Sequence, residues 1–398
     1  MQADKITVIP HPDIELGWER TEIDAFLTLP ESGINDDTGL IMVVDGFDGR
    51  ADSAYQREEL RPYLADKFNC IVVGVNYFGI FRKALYQIKP EFLFNINRIY
   101  GLELSLENFK NVQSEEGFYR IIAESVIQRG ITSLDIRCQP TIKTGKDEYQ
   151  SWGLLPAIDC LQVLGEVMKR YDLNQKRIMA YGNGYGAYIA LLMAKFAPHT
   201  FSVIVDREAY SRAELKHIAC GEVMEADYIY AFNIKFSDLK FTIASGSNNP
   251  WTIEDELSPY YFSDSHRRSR SLLEEKHRME SETRYYILHS AEALASLDDK
   301  DKCVSLLKNY NKVFYNRIPE IYADTAEDFK RFPHESLNKV PDKEIFEWLA
   351  ELDENNLAKD SAATDFTLNS KHIFDCGEKK YEFQLDDEYN ISVKIQEA

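Results

Sequence analysis

One segment in the middle of the chain restricts the fold more than any other feature. The sequence RIMAYGNGYGAYIALLMAKFAP, residues 177–198, passes from an apolar strand through a glycine-rich turn into a helical pattern. A strand, a sharp turn and a helix with glycines at alternate positions is the form of a nucleophile elbow, G-x-S-x-G. The matching residues run from Gly182 to Gly186, and the position of the attacking serine is occupied by Gly184. The segment therefore predicts an α/β sheet whose sharp turn lacks its usual nucleophile.

No other residue of this segment replaces the missing nucleophile, because residues 177–196 contain no serine, threonine or cysteine. Glycine adopts the positive φ of such a turn without penalty. The segment has two other interpretations besides a nucleophile elbow: a plain tight turn and a weak phosphate-binding glycine loop. A dinucleotide fingerprint would need G-x-G-x-x-G and an acid about 20 residues on. The sequence GNGYGA gives G-x-G-x-G instead, and Asp206 follows the next strand.

Apolar runs on both sides of the elbow predict a mainly parallel sheet flanked by helices. GLIMVVD, the helical SAYQREELRPYLADKF and CIVVGVNY form a βαβ unit, which implies parallel strands. Before them, KITVIPH and TEIDAFLTLP are typical of half-buried strands. After them we expect further sheet strands at RIMAY, FSVIVD, LKFTIAS, RYYILHS and KVFYNRI.

Two stretches interrupt this alternation, and the chain ends in a different pattern. Residues of about 78–150 and about 252–282 are predicted as insertions, either a cap over the ligand edge of the sheet or helical padding. The main domain is expected to span 1–350, followed by a polar linker at 351–364. Residues 365–398 alternate with period two, which predicts a small β appendage packed on the main domain.

Composition excludes several classes of partner. The net charge is −20, with 66 acidic against 46 basic residues, whereas nucleic acids and anionic membranes attract basic surfaces. The six cysteines lack paired spacing, which favours free thiols in a reducing compartment. No signal-length or membrane-length apolar stretch is found, so we expect a cytoplasmic protein. No histidine or cysteine spacing suggests a metal, and no cofactor is expected. The oligomeric state is left open.

The loop VVDGFDGR follows the first buried strand and is a candidate oxyanion hole. Backbone N–H groups around Gly46, Phe47 and Asp48, together with that of Tyr185 after the vacant position, are expected to converge on one point. The alternative is an ordinary β-to-α turn with glycines at its bends. We expect the point of convergence to hold a small carboxylate, phosphate or carbonyl oxygen.

A hydrolase of this kind also needs an acid and a histidine, in that chain order after the elbow. Glu292, after the strand RYYILHS, is the candidate acid, although a loop of usual length would place Ala293 there and leave the acid absent. Asp298 and Asp299 suit a helix N-terminus better. His334, in the loop FKRFPHESLNKV after the last strand, is the candidate base.

These pieces resemble a family of uncharacterised bacterial α/β-hydrolase-like proteins, a domain-of-unknown-function family associated with motility and flagellin-glycan loci. Most of the chain shares the resemblance. Its motifs here are VVDGFDGR, YLADKFNCIVVGVNYFGI, LLPAIDCLQVLGE, YGNGYGAYIA with KFAP, SPYYFSD, YYILHSAE and FKRFPHES. The resemblance implies an α/β-hydrolase fold with a cleft, serine in relatives where this chain has Gly184, and roles for His334 and Glu292.

Three functions follow as hypotheses. The first is a catalytically degenerate hydrolase that acts as a binding or accessory protein, with a small-molecule or glycan-type ligand. The second is an active esterase or deacetylase in which His334 and Glu292 activate water without a covalent step. The third is a structural scaffold whose cleft is filled. Polar groups that converge on open space would favour the first two, and packed aromatic side chains the third.

Overall fold

The computed structural model describes most of the chain. Described are residues 3–46, 49–80, 85–88, 90–112, 114–138, 142–143, 148–219, 228–243, 250–291, 293–318, 337, 340–352 and 357–398. The chain forms two compact units. The first unit consists of Met1–Ile80, Gly153–Ala213 and Asp264–Ala398, and the second of Phe81–Trp152 and Glu214–Ser263.

The strands are numbered in chain order. They are β1 (Ala3–Val8), β2 (Ile23–Thr28), β3 (Gly39–Val44), β4 (Cys70–Asn76), β5 (Leu85–Ile88), β6 (Ser133–Cys138), β7 (Ile142–Lys143), β8 (Ile178–Asn183), β9 (Val203–Arg207), β10 (Tyr228–Ile234), β11 (Ser237–Ile243), β12 (Arg284–Ser290), β13 (Lys312–Ile318), β14 (Lys371–Asp375), β15 (Lys379–Leu385) and β16 (Ile391–Glu397).

The α-helices are numbered in the same way. They are α1 (Arg61–Phe68), α2 (Pro90–Tyr100), α3 (Glu115–Gln128), α4 (Leu154–Arg170), α5 (Tyr185–Phe196), α6 (Leu215–Ile218), α7 (Asp264–Arg270), α8 (Leu297–Lys308) and α9 (Asp342–Leu352). A π-helical turn at Gln56–Leu60 leads into α1. Within the described ranges, none of these helices has the length and apolar character needed to cross a membrane.

The first unit is built on an eight-stranded sheet in the order β1-β2-β4-β3-β8-β9-β12-β13. Strand β2 runs antiparallel to both of its neighbours, and all the other pairs are parallel. This order, with its one reversed strand near the edge, is that of the α/β-hydrolase fold. The predicted fold class is confirmed.

Burial explains why the central strands were readable as continuous apolar runs. Every residue of β3, β4 and β12 is buried, because helices cover both faces of the sheet. On one face, Ile41, Val43, Leu64 and Phe68 share a core with residues 345–349 of α9. On the other face, α5 packs on β8 and β9 and against α4. The ends of β3, β8 and β9 are thereby held side by side.

The second unit has its own sheet and core. Strands β10 and β11 form a hairpin, and β11 also pairs in parallel with β6. Phe118, Tyr119 and Ile122 of α3 pack with Phe232 and Phe241 of this sheet. The prediction that LKFTIAS belongs to the main sheet was wrong. Its apolar residues meet α3 and β10 instead, which satisfies the same burial requirement.

The C-terminal appendage is a three-stranded antiparallel sheet in the order β14-β15-β16, as the alternating pattern predicted. It packs on the main helices of the first unit: the rings of Phe196 and Phe383 stack at 4.1 Å. A Cβ on Gly165 of α4 would collide with the carbonyl oxygen of Tyr389. Within the predicted linker, the buried Lys359 donates to the carbonyl oxygen of Ala363 at 2.6 Å.

Four cysteines of the described chain bear on the expectation of free thiols. Cys70, Cys160, Cys303 and Cys376 are free and buried. Burial raises the pKa of the Cys70 thiol to about 12 and that of Cys376 to about 11. The thiols of Cys70 and Cys376 are therefore protonated at neutral pH and poor nucleophiles.

Candidate functional site

The elbow lies at the carboxyl end of β8, in the middle of the main sheet. Strand β8 ends at Asn183 and α5 begins at Tyr185. Between them, Gly184 has φ 54° and ψ −115°, a conformation that residues with a Cβ rarely adopt. Among the described residues, no atom lies within 4 Å of a Cβ built on Gly184. The position of the missing nucleophile therefore faces open space.

The two flanking glycines have a different, purely steric role. A Cβ on Gly182 would come closer than 3.0 Å to the backbone of Gly186 and Ala187. A Cβ on Gly186 would come equally close to the carbonyl oxygens of Val44 and Asp45. The tight turn thus needs glycine at both positions, and it packs directly against the end of β3.

The loop after β3, the candidate oxyanion loop, lies beside the elbow. A Cβ on Gly46 would meet the carbonyl oxygen of Asn183 at 3.4 Å. The hydroxyl of Tyr77, after β4, donates to the carbonyl oxygen of Asp45 at 2.5 Å and fixes the start of the loop. Phe47 and Asp48 lie outside the described residues. Among the predicted loop residues, Gly46 is the one that the structure brings to the elbow.

Tyr185 begins α5 and faces away from solvent. Its hydroxyl oxygen accepts a hydrogen bond from the backbone N–H of Gly153 at 2.7 Å. Its ring lies 6.3 Å from that of Tyr77. These contacts hold the first residue of a 12-residue helix in place, so the positive end of the helix dipole is directed at the elbow.

The predicted acid and base, Glu292 and His334, lie outside the described residues. Their sequence neighbours are placed near the ligand edge of the sheet. The N–H of Ala293 donates to the carbonyl oxygen of Ser290 at the end of β12. Leu337, three residues after His334, accepts a hydrogen bond from the guanidinium of Arg207.

Glu208 is a candidate residue that the sequence analysis missed. It follows β9 directly and has a φ of 59°, in the left-handed region that a non-glycine residue rarely adopts. Its carboxyl is buried and accepts a hydrogen bond from the hydroxyl of Ser290. Burial raises its pKa. Residues with a strained backbone and acids with a shifted pKa both cluster at functional sites. The sequence FSVIVDREAY gives no sign of the positive φ at Glu208.

Asp45 is a second missed acid, at the end of β3. Its carboxylate accepts a hydrogen bond from the side-chain amide of Gln56 at 2.7 Å. Burial raises its pKa to about 6, with a further contribution from the negative charge of Asp342. Because β8 lies between β3 and β9, Asp45 and Glu208 stand on either side of the elbow strand.

A buried network joins the elbow to the last helix. Arg207 donates to the carboxylate of Asp342, the first residue of α9, at 2.6 Å. The same carboxylate accepts hydrogen bonds from the hydroxyls of Tyr181 and Tyr55. Desolvation raises the pKa of Tyr181 well above its usual value, so its hydroxyl remains a donor. The network fixes the N-terminus of α9 against β8 and β9.

A second polar cluster lies on the α5 face of the sheet. Lys300 pairs with Asp206 at 2.8 Å, and both side chains are fully buried. His289 is also fully buried, and its ring interacts with the backbone of Ala295. Burial lowers its pKa to about 4. No group of three or more potential metal ligands occurs in the described part of the chain.

Comparison with known proteins gives one family. A family profile described as "Protein of unknown function (DUF2920)" matches residues 5–394. A search of curated proteins gave no match.

Solved structures with related architecture are hydrolases of low sequence identity. The acylaminoacyl peptidase of Pyrococcus horikoshii is 16% identical at a TM-score of 0.40, over 80% of this chain and 36% of the peptidase. A thermostable esterase from Pseudomonas putida is 12% identical at 0.40, over 80% and 74%. Est1E from Butyrivibrio proteoclasticus with bound ferulic acid is 11% identical at 0.37, over 75% and 86%. The chain thus spans little more than a third of the peptidase.

Proposed function

This chain belongs to the DUF2920 family of proteins of unknown function, and we propose that it is a catalytically degenerate α/β-hydrolase-like protein that binds a small ligand at its elbow. One observation carries the proposal. The elbow keeps its turn geometry and its sterically required glycines, while Gly184 faces open space. A scaffold with a filled cleft would place packed side chains there.

The missing side chain argues against ester turnover. Removal of the nucleophile from a triad hydrolase lowers kcat by about 10⁶, which leaves roughly 10³–10⁴ over the uncatalysed rate. Burial raises the pKa of the Cys70 and Cys160 thiols, so both are protonated and offer no substitute. Binding survives this loss, because the elements that bind an acyl oxygen belong to the backbone.

The ligand in this proposal presents a carbonyl or carboxyl oxygen to the elbow. The N-terminus of α5 supplies a positive field at Gly184, and the loop at Gly46 lies next to Asn183. These are the two halves of an oxyanion hole. A glycan-type ligand would engage the same groups through an acetyl or carboxyl substituent.

A second candidate is hydrolysis by an activated water, with His334 as base and Glu292 as acid. The observation in its favour is the hydrogen bond from Arg207, the last residue of the strand beside the elbow, to the carbonyl oxygen of Leu337. His334 lies three residues before this anchor in the sequence.

The two candidates are separated by labelling and turnover. The wild-type protein is expected to remain unlabelled by a serine-directed phosphonate and to hydrolyse p-nitrophenyl acetate no faster than buffer. Gly184→Ser restores a hydroxyl that faces open space, and it is expected to gain slow turnover, with Gly184→Ala as the matched control. Wild-type turnover that is lost in His334→Ala would reject the degenerate protein and support the water mechanism.

A further inference from the structure

Besides the backbone N–H groups that would bind a ligand oxygen, the elbow has two acidic residues beside it. Two carboxyl-bearing residues flank Gly184 in the sheet: Asp45 directly follows β3 and Glu208 directly follows β9, while the elbow follows β8 between them. Adjacent strands lie about 4.8 Å apart. Each acid is thus one strand away from the position of the missing nucleophile.

The cations beside these acids, Arg61 and Arg207, offset their charge only in part, because each also binds another group. Arg207 pairs with Asp342, and Arg50 pairs with Asp52 at 2.6 Å. The guanidinium of Arg61 donates to the carbonyl oxygen of Phe26 at 2.8 Å. A negatively charged ligand at the elbow would therefore meet two acids without a dedicated cation among the described residues.

We propose that Asp45 and Glu208 are specificity-determining residues that exclude anions from the elbow at neutral pH and admit neutral acyl groups. The inference rests on the proposed ligand site and restricts the class of ligand that binds there to neutral acyl compounds. An amide or ester carbonyl accepts hydrogen bonds from the same backbone donors without adding charge. A carboxylate or phosphate is repelled by each ionised acid, and the Coulomb energy between charges several ångströms apart weakens its binding by about tenfold per acid.

The surroundings of the two acids set the pH range of the effect. Asp45 faces the amide of Gln56 and the charges of Asp342, Arg61 and Asp52, and its pKa lies at about 6 because burial disfavours the carboxylate. Asp45 therefore repels anions from the elbow above pH 6, and this repulsion is lost below pH 6.

Glu208 has its own set of neighbours. It faces the hydroxyl of Ser290 and the charges of Arg207 and Asp206, and burial raises its pKa as well. Its exclusion of anions also weakens as pH falls. Neutral ligands should show no such dependence on either acid.

The test uses the 398-residue chain and two probes with the same alkyl chain, one neutral and one negatively charged. Binding of hexanamide and hexanoate at pH 7.5 is followed by the ¹⁵N chemical shifts of the Gly184 and Tyr185 amides. Hexanamide is expected to bind at least tenfold more tightly than hexanoate. Hexanesulfonate, which stays ionised throughout, is expected to bind more tightly as pH falls from 7.5 to 5.5.

Charge-neutralising variants complete the design. Asp45→Asn is expected to tighten hexanoate binding about tenfold at pH 7.5 and leave hexanamide unchanged, and Glu208→Gln is expected to act in the same way. Glu59→Gln removes an equal charge at an exposed position and serves as the control. Equal affinities for the two probes, or no change in Asp45→Asn, would overturn the inference and leave the proposed ligand site intact. No shift of either amide with any probe would overturn both.

Discussion

The backbone N–H of Gly184 donates a hydrogen bond of 2.7 Å to the carbonyl oxygen of Arg207. This bond holds the vacant elbow position to the end of the neighbouring strand β9. The side chain of Arg207 binds Asp342 and Leu337 on the other side. One residue thus connects the elbow with the segment that follows the last strand of the sheet.

The three glycines of the turn give a graded stability prediction. Gly184→Ala is expected to lower the free energy of unfolding by about 1 kcal/mol, because the new Cβ meets no atom and only the positive φ is strained. Gly182→Ala and Gly186→Ala are expected to lower it by about 3 kcal/mol or more, because their Cβ atoms collide with backbone. Urea unfolding of the three variants measures the difference.

The contrast among these variants is its own control, because each adds the same methyl group within five residues. Equal losses at all three positions would mean that Gly184 does not face open space. The ligand site proposed at the elbow would then lose its main support.

Sequence patterns were sufficient for the main sheet, because burial on both faces produces apolar runs such as GLIMVVD and CIVVGVNY. The same signal failed for LKFTIAS. A strand buried in a small second sheet has the same composition as one buried in the main sheet. Its hairpin partner β10 adjoins it, but the parallel partner β6 is far away in the sequence. Local pattern predicts burial but not which sheet provides it.

At the site, too, some residues could be predicted from the sequence and others could not. The turn around Gly184 could be predicted, since its glycine spacing is imposed by backbone contacts that are local in sequence. Asp45 and Glu208 could not, because their significance comes from burial and from the order β3-β8-β9, which joins residues more than 160 positions apart. Asp45 lies in the motif VVDGFDGR, but nothing in the sequence around either acid distinguishes its side chain from a solvated carboxylate.

Neutralisation of Asp45 is expected to stabilise the protein at neutral pH. Its pKa rises from 3.8 to about 6 on folding, chiefly through burial, so the folded state resists ionisation that the unfolded state accepts. The wild type therefore loses stability as pH rises from about 4 to about 6, by at most about 3 kcal/mol. In Asp45→Asn this loss is absent, and the amide oxygen can still accept from Gln56.

Urea unfolding between pH 4 and pH 8 checks this expectation. The advantage of Asp45→Asn over the wild type should grow through that interval and level off above pH 6. A difference that stays constant with pH would show that Asp45 titrates as an ordinary exposed carboxyl.

The carboxylate of Asp342 is expected to be the main support of the α9 N-terminus. Asp342→Ala leaves Arg207 buried without its partner, which should lower the free energy of unfolding by about 3–5 kcal/mol. Tyr55→Phe removes a single hydrogen bond to the same carboxylate from a partly exposed hydroxyl, and it should cost less than about 1 kcal/mol. Similar losses in the two variants, measured by thermal unfolding, would contradict a central role for the ion pair.

The loss of folding stability at acid pH is expected to depend on His289. Its pKa falls from 6.5 to about 4 on folding, first because of burial and then because of the charge of Lys300. Between pH 6.5 and pH 4 the unfolded state takes up a proton that the folded state resists, so stability decreases as pH falls through this range, by at most about 3 kcal/mol. His289→Leu abolishes this contribution and removes one interaction, that of the ring with the backbone of Ala295.

The variant should therefore equal or exceed the wild type in stability at pH 7.5 and surpass it increasingly toward pH 4.5. Part of the acid sensitivity will remain in His289→Leu, because burial also lowers the pKa of His266 and His277 to about 4. Chemical unfolding at four pH values between 7.5 and 4.5 measures the difference between the two proteins. Parallel curves would mean that His289 gains a proton in the folded protein as readily as in the unfolded chain, which requires an acceptor beside its ring.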